Sequence, residues 1–196
     1  MKKIYDGKLI LASKSPRRAY LLSLVGFDFD VQPSRINEDL IRETEPEKHV
    51  KALSLAKAEK VARSVEKGLV VGADTIVVLD GEILGKPSSS EDATRMLQRL
   101  SGRVHKVYTG FTIIEMPGGR TASDFEMTAV RFRHLADWEI ENYVKTQNPM
   151  DKAGAYGIQD QSAVFADRIE GCFYNVVGFP LSKFYVTLLD FVKKDH

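Results

Sequence analysis

The sequence feature that most limits the fold of this chain is the apolar run from Leu69 to Leu79, whose only charged residue is Asp74. A run so rich in β-branched residues predicts a strand that is covered on both faces, as in an α/β sheet. A carboxylate in such a strand must be paired with a cation, bound to a metal or used in catalysis, because burying it alone is costly. Asp74 is therefore the first candidate functional residue.

The residues that follow this strand predict a β-hairpin. Asp80-Gly81 fits a two-residue turn, and continuing the hairpin pairs Thr75 with Lys86. Lys86 is then expected beside Asp74, although direct contact needs a bulge, which Gly85 allows. A structural ion pair accounts for these two residues alone, but it does not account for the arginines and Lys57 described below.

The remaining pattern alternates strands with helices and predicts an α/β fold with a mixed sheet. A length of 196 residues suits one domain that spans residues 1–196. A capping box, Thr44 to Glu47, is expected to open the second helix. The predicted strands are 9–12, 69–79, 82–84, 104–115, 120–133, 164–169 and 173–177, and the predicted helices are 17–24, 44–67, 88–100, 137–145 and a last one that begins near Pro180.

Charge and composition exclude several classes of partner. The 28 Lys and Arg residues against 27 Asp and Glu give a net charge of +1, so the chain lacks the overall field that holds nucleic acid or an anionic membrane. No uncharged run approaches the roughly 18 residues that span a bilayer. Cys172 is the single cysteine, and the first residues lack the apolar stretch of a secretion signal. We therefore expect a cytoplasmic protein.

Two arginines occupy an unfavourable position. Ser15 and Pro16 fit the start of the helix at 17–24, which places Arg17 and Arg18 in its first turn. The N-terminus of a helix carries about half a positive charge, so cations there cost free energy unless an anion lies between them. A phosphate group suits this position, since helix N–H groups and guanidinium groups both bind it. The alternative is that both arginines are solvated surface residues.

Lys57 is a second anomaly, because it falls in the middle of the apolar face of the helix at 44–67, between Leu53 and Val61. Two interpretations are equally supported. Its stem packs while the ammonium group reaches solvent, or the ammonium group is held inside a cleft where it binds phosphate.

Familiar catalytic motifs are absent from the sequence. The stretch from Gly81 to Pro87 differs from a P-loop, because it has one residue too few between its glycines and proline in place of Ser or Thr. There is no G-x-S-x-G, H-E-x-x-H, C-x-x-C or G-x-G-x-x-G motif. Serine hydrolase, zinc and dinucleotide chemistries therefore lose support.

Six motifs can be read together, and four of them contain the anomalous residues. The six are Ser13-Lys14-Ser15-Pro16-Arg17-Arg18, Asn37-Glu38, Leu55-Ala56-Lys57-Ala58, Gly72-Ala73-Asp74-Thr75, Gly85-Lys86-Pro87 and Asp151 to Gln159. In order and spacing they resemble the Maf family of nucleoside triphosphate pyrophosphatases over nearly the whole chain. The resemblance implies hydrolysis of a nucleoside triphosphate to the monophosphate and pyrophosphate with a divalent cation, Mg, Mn or Co. It also implies an elongated mixed sheet flanked by helices, with two lobes around a cleft, similar to inosine triphosphate pyrophosphatases.

The resemblance also implies roles for individual residues. Asp74 would be the general base or a metal-linked carboxylate, and Glu38 a second candidate metal ligand. Lys14 departs from the family pattern, where many members have a small residue. The residues implied to bind substrate are Ser13, Arg17, Arg18, Glu38, Lys57 and Lys86, and the positions implied to select the base, Arg17, Thr75 and Gln159, match the branch that acts on dTTP and UTP.

Two other functions remain open from the sequence. One is a nucleotide-binding regulator of septum formation without catalysis, which would not require Asp74. The other is a pyrophosphatase for damaged purine nucleotides or for 7-methyl-GTP. Asp74 with Lys86 nearby favours an enzyme, and a homodimer is left open.

Overall fold

The computed structural model describes residue 5, residues 7–41 and residues 43–193, and it confirms the predicted α/β fold. Its strands are β1 (Leu9–Leu11), β2 (Phe29–Val31), β3 (Gly68–Leu79), β4 (Glu82–Leu84), β5 (Val104–Met116), β6 (Thr121–Phe132) and β7 (Ala166–Glu170). They form one mixed sheet, which is parallel at β1 and antiparallel where β4 joins β3 and β7 joins β6. Their order is β2-β1-β3-β5-β6-β7, with β4 paired to β3 off this path.

The helices follow the strands along the chain. Short 3-10 helices occur at Glu38–Leu40, Asn148–Asp151, Ala153–Ala155 and Gln161–Phe165. Across the described residues, no helix is both long and apolar enough to cross a membrane. The α-helices are α1 (Pro16–Leu24), α2 (Pro46–Ala62), α3 (Ser90–Leu100), α4 (Asp137–Lys145), α5 (Phe173–Val177) and α6 (Leu181–Lys193).

The chain divides into two compact units, and β3, β5 and β6 contribute residues to both. The first unit holds the described residues up to Asp74, Thr109–Glu126 and those from Gly178 onward. The second unit holds Thr75–Tyr108 and Met127–Val177. Each unit has buried apolar side chains of its own. A cluster of the first contains Ile10, Ala12, Ala58, Val61, Ala62, Val70 and Ile114, and the larger cluster of the second includes Val77, Leu97, Val130, Phe132, Tyr156 and Phe165.

Three predicted elements differ from the structure. Residues 173–177, predicted as a strand, form the short helix α5, because a short apolar run fits either state. The capping box at Thr44 is wrong, since the N-cap is Glu45 and its side chain makes no capping hydrogen bond. The strand β2 lies in a segment predicted to be irregular, since its partly exposed side chains give a weak apolar pattern.

The hairpin after β3 is shorter than predicted. Its pairing runs from Leu79↔Glu82 to Val77↔Leu84 and does not continue to Thr75 and Lys86. The backbone N–H of Gly154 donates to the Gly85 carbonyl at 3.0 Å. The pairing with β3 therefore ends at Leu84, and the carbonyl of the next residue, Gly85, accepts from Gly154 instead.

Candidate active site

The loop between β1 and α1 ends in the predicted helix start. Ser15 is the N-cap of α1, and its hydroxyl accepts a hydrogen bond from the Arg18 N–H. Pro16 begins the helix, and the first turn contains no acidic residue. Arg17 and Arg18 therefore lie at a positive helix end without a carboxylate in the same turn.

Arg18 is fixed at both ends of its guanidinium group. Its Nη1 donates to the hydroxyl of buried Ser13 at 3.1 Å, and its Nε donates to the Gly178 carbonyl at 2.9 Å. Burial lowers the pKa of Arg18, while the negative charges of Asp74 and Glu38 act in the opposite direction. The guanidinium group thus stays a fixed cation near Asp74, because its ordinary pKa is so high.

Two glycines allow α2 to lie directly against the sheet. A Cβ atom on Gly72 of β3 would overlap the Ser54 carbonyl oxygen and lie 2.8 Å from the Ala58 nitrogen. A Cβ atom on Gly110 of β5 would lie 2.5 Å from the Val50 carbonyl oxygen. No side chain larger than hydrogen fits at either position, so the α2 backbone comes close to β3 and brings Lys57 near Asp74.

Lys57 is buried between two carboxylates. Its Nζ lies 2.6 Å from Asp74 Oδ1 and 2.8 Å from Glu38 Oε1. The side chains of Lys57 and Asp74 are each 9% exposed, whereas that of Glu38 is 45% exposed. The interpretation in which the ammonium group reaches solvent is therefore wrong, and the charge is held inside the first unit.

The expected neighbour of Asp74 is corrected by the structure. Asp74 forms its ion pair with Lys57, and Lys86 lies exposed in the second unit beyond the end of β4. Pairing with Lys57 suits a buried carboxylate, because the stem of that lysine is already buried by α2 packing. The structure thus brings together five of the predicted site residues in the first unit: Ser13, Arg18, Glu38, Lys57 and Asp74.

The contacts described above do not include Arg17, Thr75 or Gln159. Arg17 belongs to the first unit and is half-buried. Thr75 and Gln159 belong to the second unit, where Thr75 is half-buried and Gln159 is exposed. Since Thr75 follows Asp74 directly in β3, the two side chains point to opposite faces of the sheet.

A cation site would need ligands beyond the protein. In the part of the chain that the structure describes, no three His, Cys, Asp or Glu residues form a group that could hold a metal ion. Asp74 and Glu38 both contact Lys57 Nζ, through Oδ1 and Oε1, so a metal ion would take the other oxygen of each carboxylate. One or two carboxylates with phosphate oxygens are the ligands that Mg²⁺ commonly takes from a nucleotide site, so these two residues fit such an ion.

Comparisons with known proteins match this chain to a family. The family described as "Maf-like protein" matches residues 8–191. This chain belongs to the Maf family. Among curated relatives, a protein named "dTTP/UTP pyrophosphatase" from Moorella thermoacetica is 52% identical over 89% of this chain and 90% of its own length. A protein of the same name from Carboxydothermus hydrogenoformans is 46% identical, over 91% and 95%.

Solved structures place this Maf family chain in a wider fold. The Staphylococcus aureus Ham1 protein matches with a TM-score of 0.50 and 16% identity, over 96% of this chain and 100% of that one. A HAM1 protein from Coxiella burnetii matches with a TM-score of 0.51 and 12% identity, over 93% and 98%. At such low identity these matches concern the fold alone, and they agree with the fold that the sequence predicted.

Some features of this Maf site were not foreseen from the sequence. The close approach at Gly72 and Gly110 was missed, although a glycine inside an apolar strand indicates that another backbone comes near. The Gly178 carbonyl that accepts from Arg18 gives no local signal, since it lies 160 residues away. Glu38 was found only through the family resemblance.

Proposed function

We propose that this chain is a nucleoside triphosphate pyrophosphatase, which hydrolyses dTTP and UTP to the monophosphate and pyrophosphate. The observation that carries this proposal is the buried Lys57 ammonium between the Asp74 and Glu38 carboxylates. A fixed guanidinium group, Arg18, and the helix end at Ser15 lie in the same unit. Cations and a base together are what phosphoanhydride hydrolysis requires.

The named relatives support the choice of substrate, because both are dTTP/UTP pyrophosphatases that match about nine-tenths of this chain. Arg17, Thr75 and Gln159 are proposed to select the base. A carboxamide such as Gln159 offers a donor and an acceptor together, which suits the O4 and N3–H edge of thymine or uracil. These names favour pyrimidine substrates over the purine and 7-methyl-GTP alternatives.

The catalytic roles follow from the geometry of each side chain. Asp74 is proposed to accept a proton from the attacking water, since it is the buried carboxylate of the group. Lys57 and Arg18 are proposed to stabilise the negative charge that grows on the phosphate oxygens as the bond between the α and β phosphates breaks. Ser13 keeps the guanidinium group of Arg18 in place through its hydroxyl. None of these steps requires a covalent nucleophile.

A divalent cation, Mg, Mn or Co, is proposed to bind through Asp74 and Glu38 together with oxygens of the substrate. When bound, it would neutralise phosphate charge and lower the pKa of a water molecule. The support for this proposal is that Asp74 and Glu38 contact Lys57 through Oδ1 and Oε1, and each carboxylate has a second oxygen of the kind that binds a divalent cation.

The test is pyrophosphate release from a panel of nucleotides, with EDTA and with added metal ions. We expect hydrolysis of dTTP and UTP well ahead of GTP, ATP and 7-methyl-GTP, and loss of activity in EDTA that Mg²⁺ restores. The variant Asp74→Asn should lose turnover yet retain nucleotide binding, because it keeps the cations and loses the base. Equal rates on every nucleotide would contradict the base selection, and turnover by Asp74→Asn above a few per cent of wild type would remove Asp74 from catalysis.

A cytoplasmic location is part of the proposal, supported by the nucleotide substrates of the relatives. The near-neutral net charge of +1 supports the absence of nucleic-acid binding. Homodimer formation stays a prediction.

A further inference from the structure

The residue proposed to select the base lies in a tight turn. The Asp160 N–H donates to the Gly157 carbonyl at 3.1 Å, which closes a turn whose third residue is the exposed Gln159. An exposed side chain discriminates between bases only if its backbone is held in place, because small displacements misalign hydrogen bonds. The groups that hold this turn therefore matter for selection.

The carboxylate of Asp160 accepts several hydrogen bonds next to the turn. Its Oδ2 accepts from the Tyr143 hydroxyl at 3.1 Å and lies 3.4 Å from Lys152 Nζ. Its Oδ1 accepts from the Ser162 N–H at 2.9 Å and from the Ser162 hydroxyl at 2.7 Å. Hydrogen bonds to an ionised acceptor are stronger than neutral ones, so Asp160 is the strongest local constraint on the turn.

The hydrogen bonds of Ser162 also reach Gly157, the first residue of the same turn. The Ser162 hydroxyl, which is fully buried, accepts from the Gly157 N–H at 3.0 Å. Tyr143 is buried on α4 and its ring packs edge-on against Phe165. Asp160, the last residue of the turn, is thus linked to Gly157, the first, through Ser162, and to helix α4 through Tyr143.

We propose that Asp160 is a positioning residue for base selection, holding the turn that presents Gln159 to the pyrimidine ring. This inference rests on the proposed function, because it assumes that Gln159 contacts the base. Asp160 itself is held by Tyr143, Lys152 and Ser162 and acts through the turn. The residues proposed to bind substrate phosphate, Ser13, Arg18 and Lys57, belong to the other unit, so loss of Asp160 should affect selection more than turnover.

The test is a comparison of kcat/KM for dTTP and for GTP in Asp160→Asn. The variant keeps the size and one acceptor oxygen, and it loses the charge that Tyr143 and Lys152 contact. We expect the dTTP preference to fall about tenfold, through a higher KM for dTTP with kcat nearly unchanged. In a Gln159→Ala background the same change should lower the preference less than about twofold, because the turn then has nothing to position.

Tyr143→Phe tests the same anchor without changing the turn itself, and it keeps the proposal testable if Asp160→Asn fails to fold. The matched control is Tyr156→Phe, which removes a buried hydroxyl bound to His105 at 2.8 Å and not to Asp160. We expect lower dTTP preference in Tyr143→Phe and an unchanged preference in Tyr156→Phe.

Three results would overturn the inference. These are an unchanged preference in both folded anchor variants, an equal effect of Asp160→Asn with and without Gln159, and an unchanged preference in Gln159→Ala. Failure of the proposed function looks different, because the wild-type protein would then release no pyrophosphate from any nucleotide.

Discussion

Replacing Lys57 by methionine removes the ammonium ion that Asp74 and Glu38 share, while it keeps a long side chain of similar volume. Asp74 would be left as a buried carboxylate, since its side chain is only 9% exposed. Glu38 is 45% exposed and would be solvated instead. The structure therefore predicts destabilisation, whereas a lysine that reached solvent would predict none.

The magnitude follows from this difference in burial. Removing one partner of a buried pair costs about 3–5 kcal/mol, because the remaining charge is uncompensated. The loss at Glu38 is that of an exposed pair and contributes less than about 1 kcal/mol. Arg18 remains near Asp74 and offsets part of the charge. We expect the free energy of unfolding to fall by about 3 kcal/mol, which lowers the Tm of a chain this long by roughly 9 °C.

Urea unfolding at pH 7 of Lys57→Met, Asp74→Asn and the double variant measures this coupling. In the double variant both partners of the buried Lys57–Asp74 pair are neutral, so its stability should return to within about 1 kcal/mol of wild type. All three variants should lack pyrophosphate release. A Lys57→Met protein as stable as wild type would refute the reasoning, and so would a double variant with the same loss as Lys57→Met.

Two further predictions concern packing and pH. Gly72→Ala should lower stability by about 3 kcal/mol and reduce activity, because the new methyl group would displace α2 and with it Lys57. Urea unfolding measures the stability and pyrophosphate release measures the activity. The control Gly118→Ala, where a Cβ would meet nothing within 4 Å, should change neither. Burial lowers the pKa of His105, which is 1% exposed, to about 4. The unfolded chain takes up that proton below about pH 6.5, so wild type should lose up to about 3 kcal/mol between pH 7 and pH 4 from this group, and His105→Gln should show a shallower decline of stability with pH.

The sequence predicted those parts of the site whose signal comes from residues close together in the chain. Ser15, Pro16 and the two arginines form one helix start, whose charge and capping follow from adjacent positions. Asp74 stands out because the apolar run around it is continuous in sequence. Lys57 stands out because helical periodicity alone places it on the buried face of α2.

Short elements were decided by tertiary contacts. Residues 173–177 suit a strand or a helix by pattern, and the structure forms a helix there, from which buried Asn175 donates to the Val107 carbonyl at 3.0 Å. The hairpin after β3 ends early because Gly154 binds the Gly85 carbonyl. That contact joins residues far apart in sequence, so local propensity cannot predict it.

The sequence by itself determined the α/β fold, the buried strand with Asp74, the helix end with its arginines and the family to which the chain belongs. Only the tertiary structure decided that Lys57, and not Lys86, is the ion-pair partner of Asp74. The physical reason is the close approach of α2 to β3 at Gly72, which sets the distance between the two charges. Periodicity assigns a residue to a face of a helix, whereas the packing of that face against another element selects its partner.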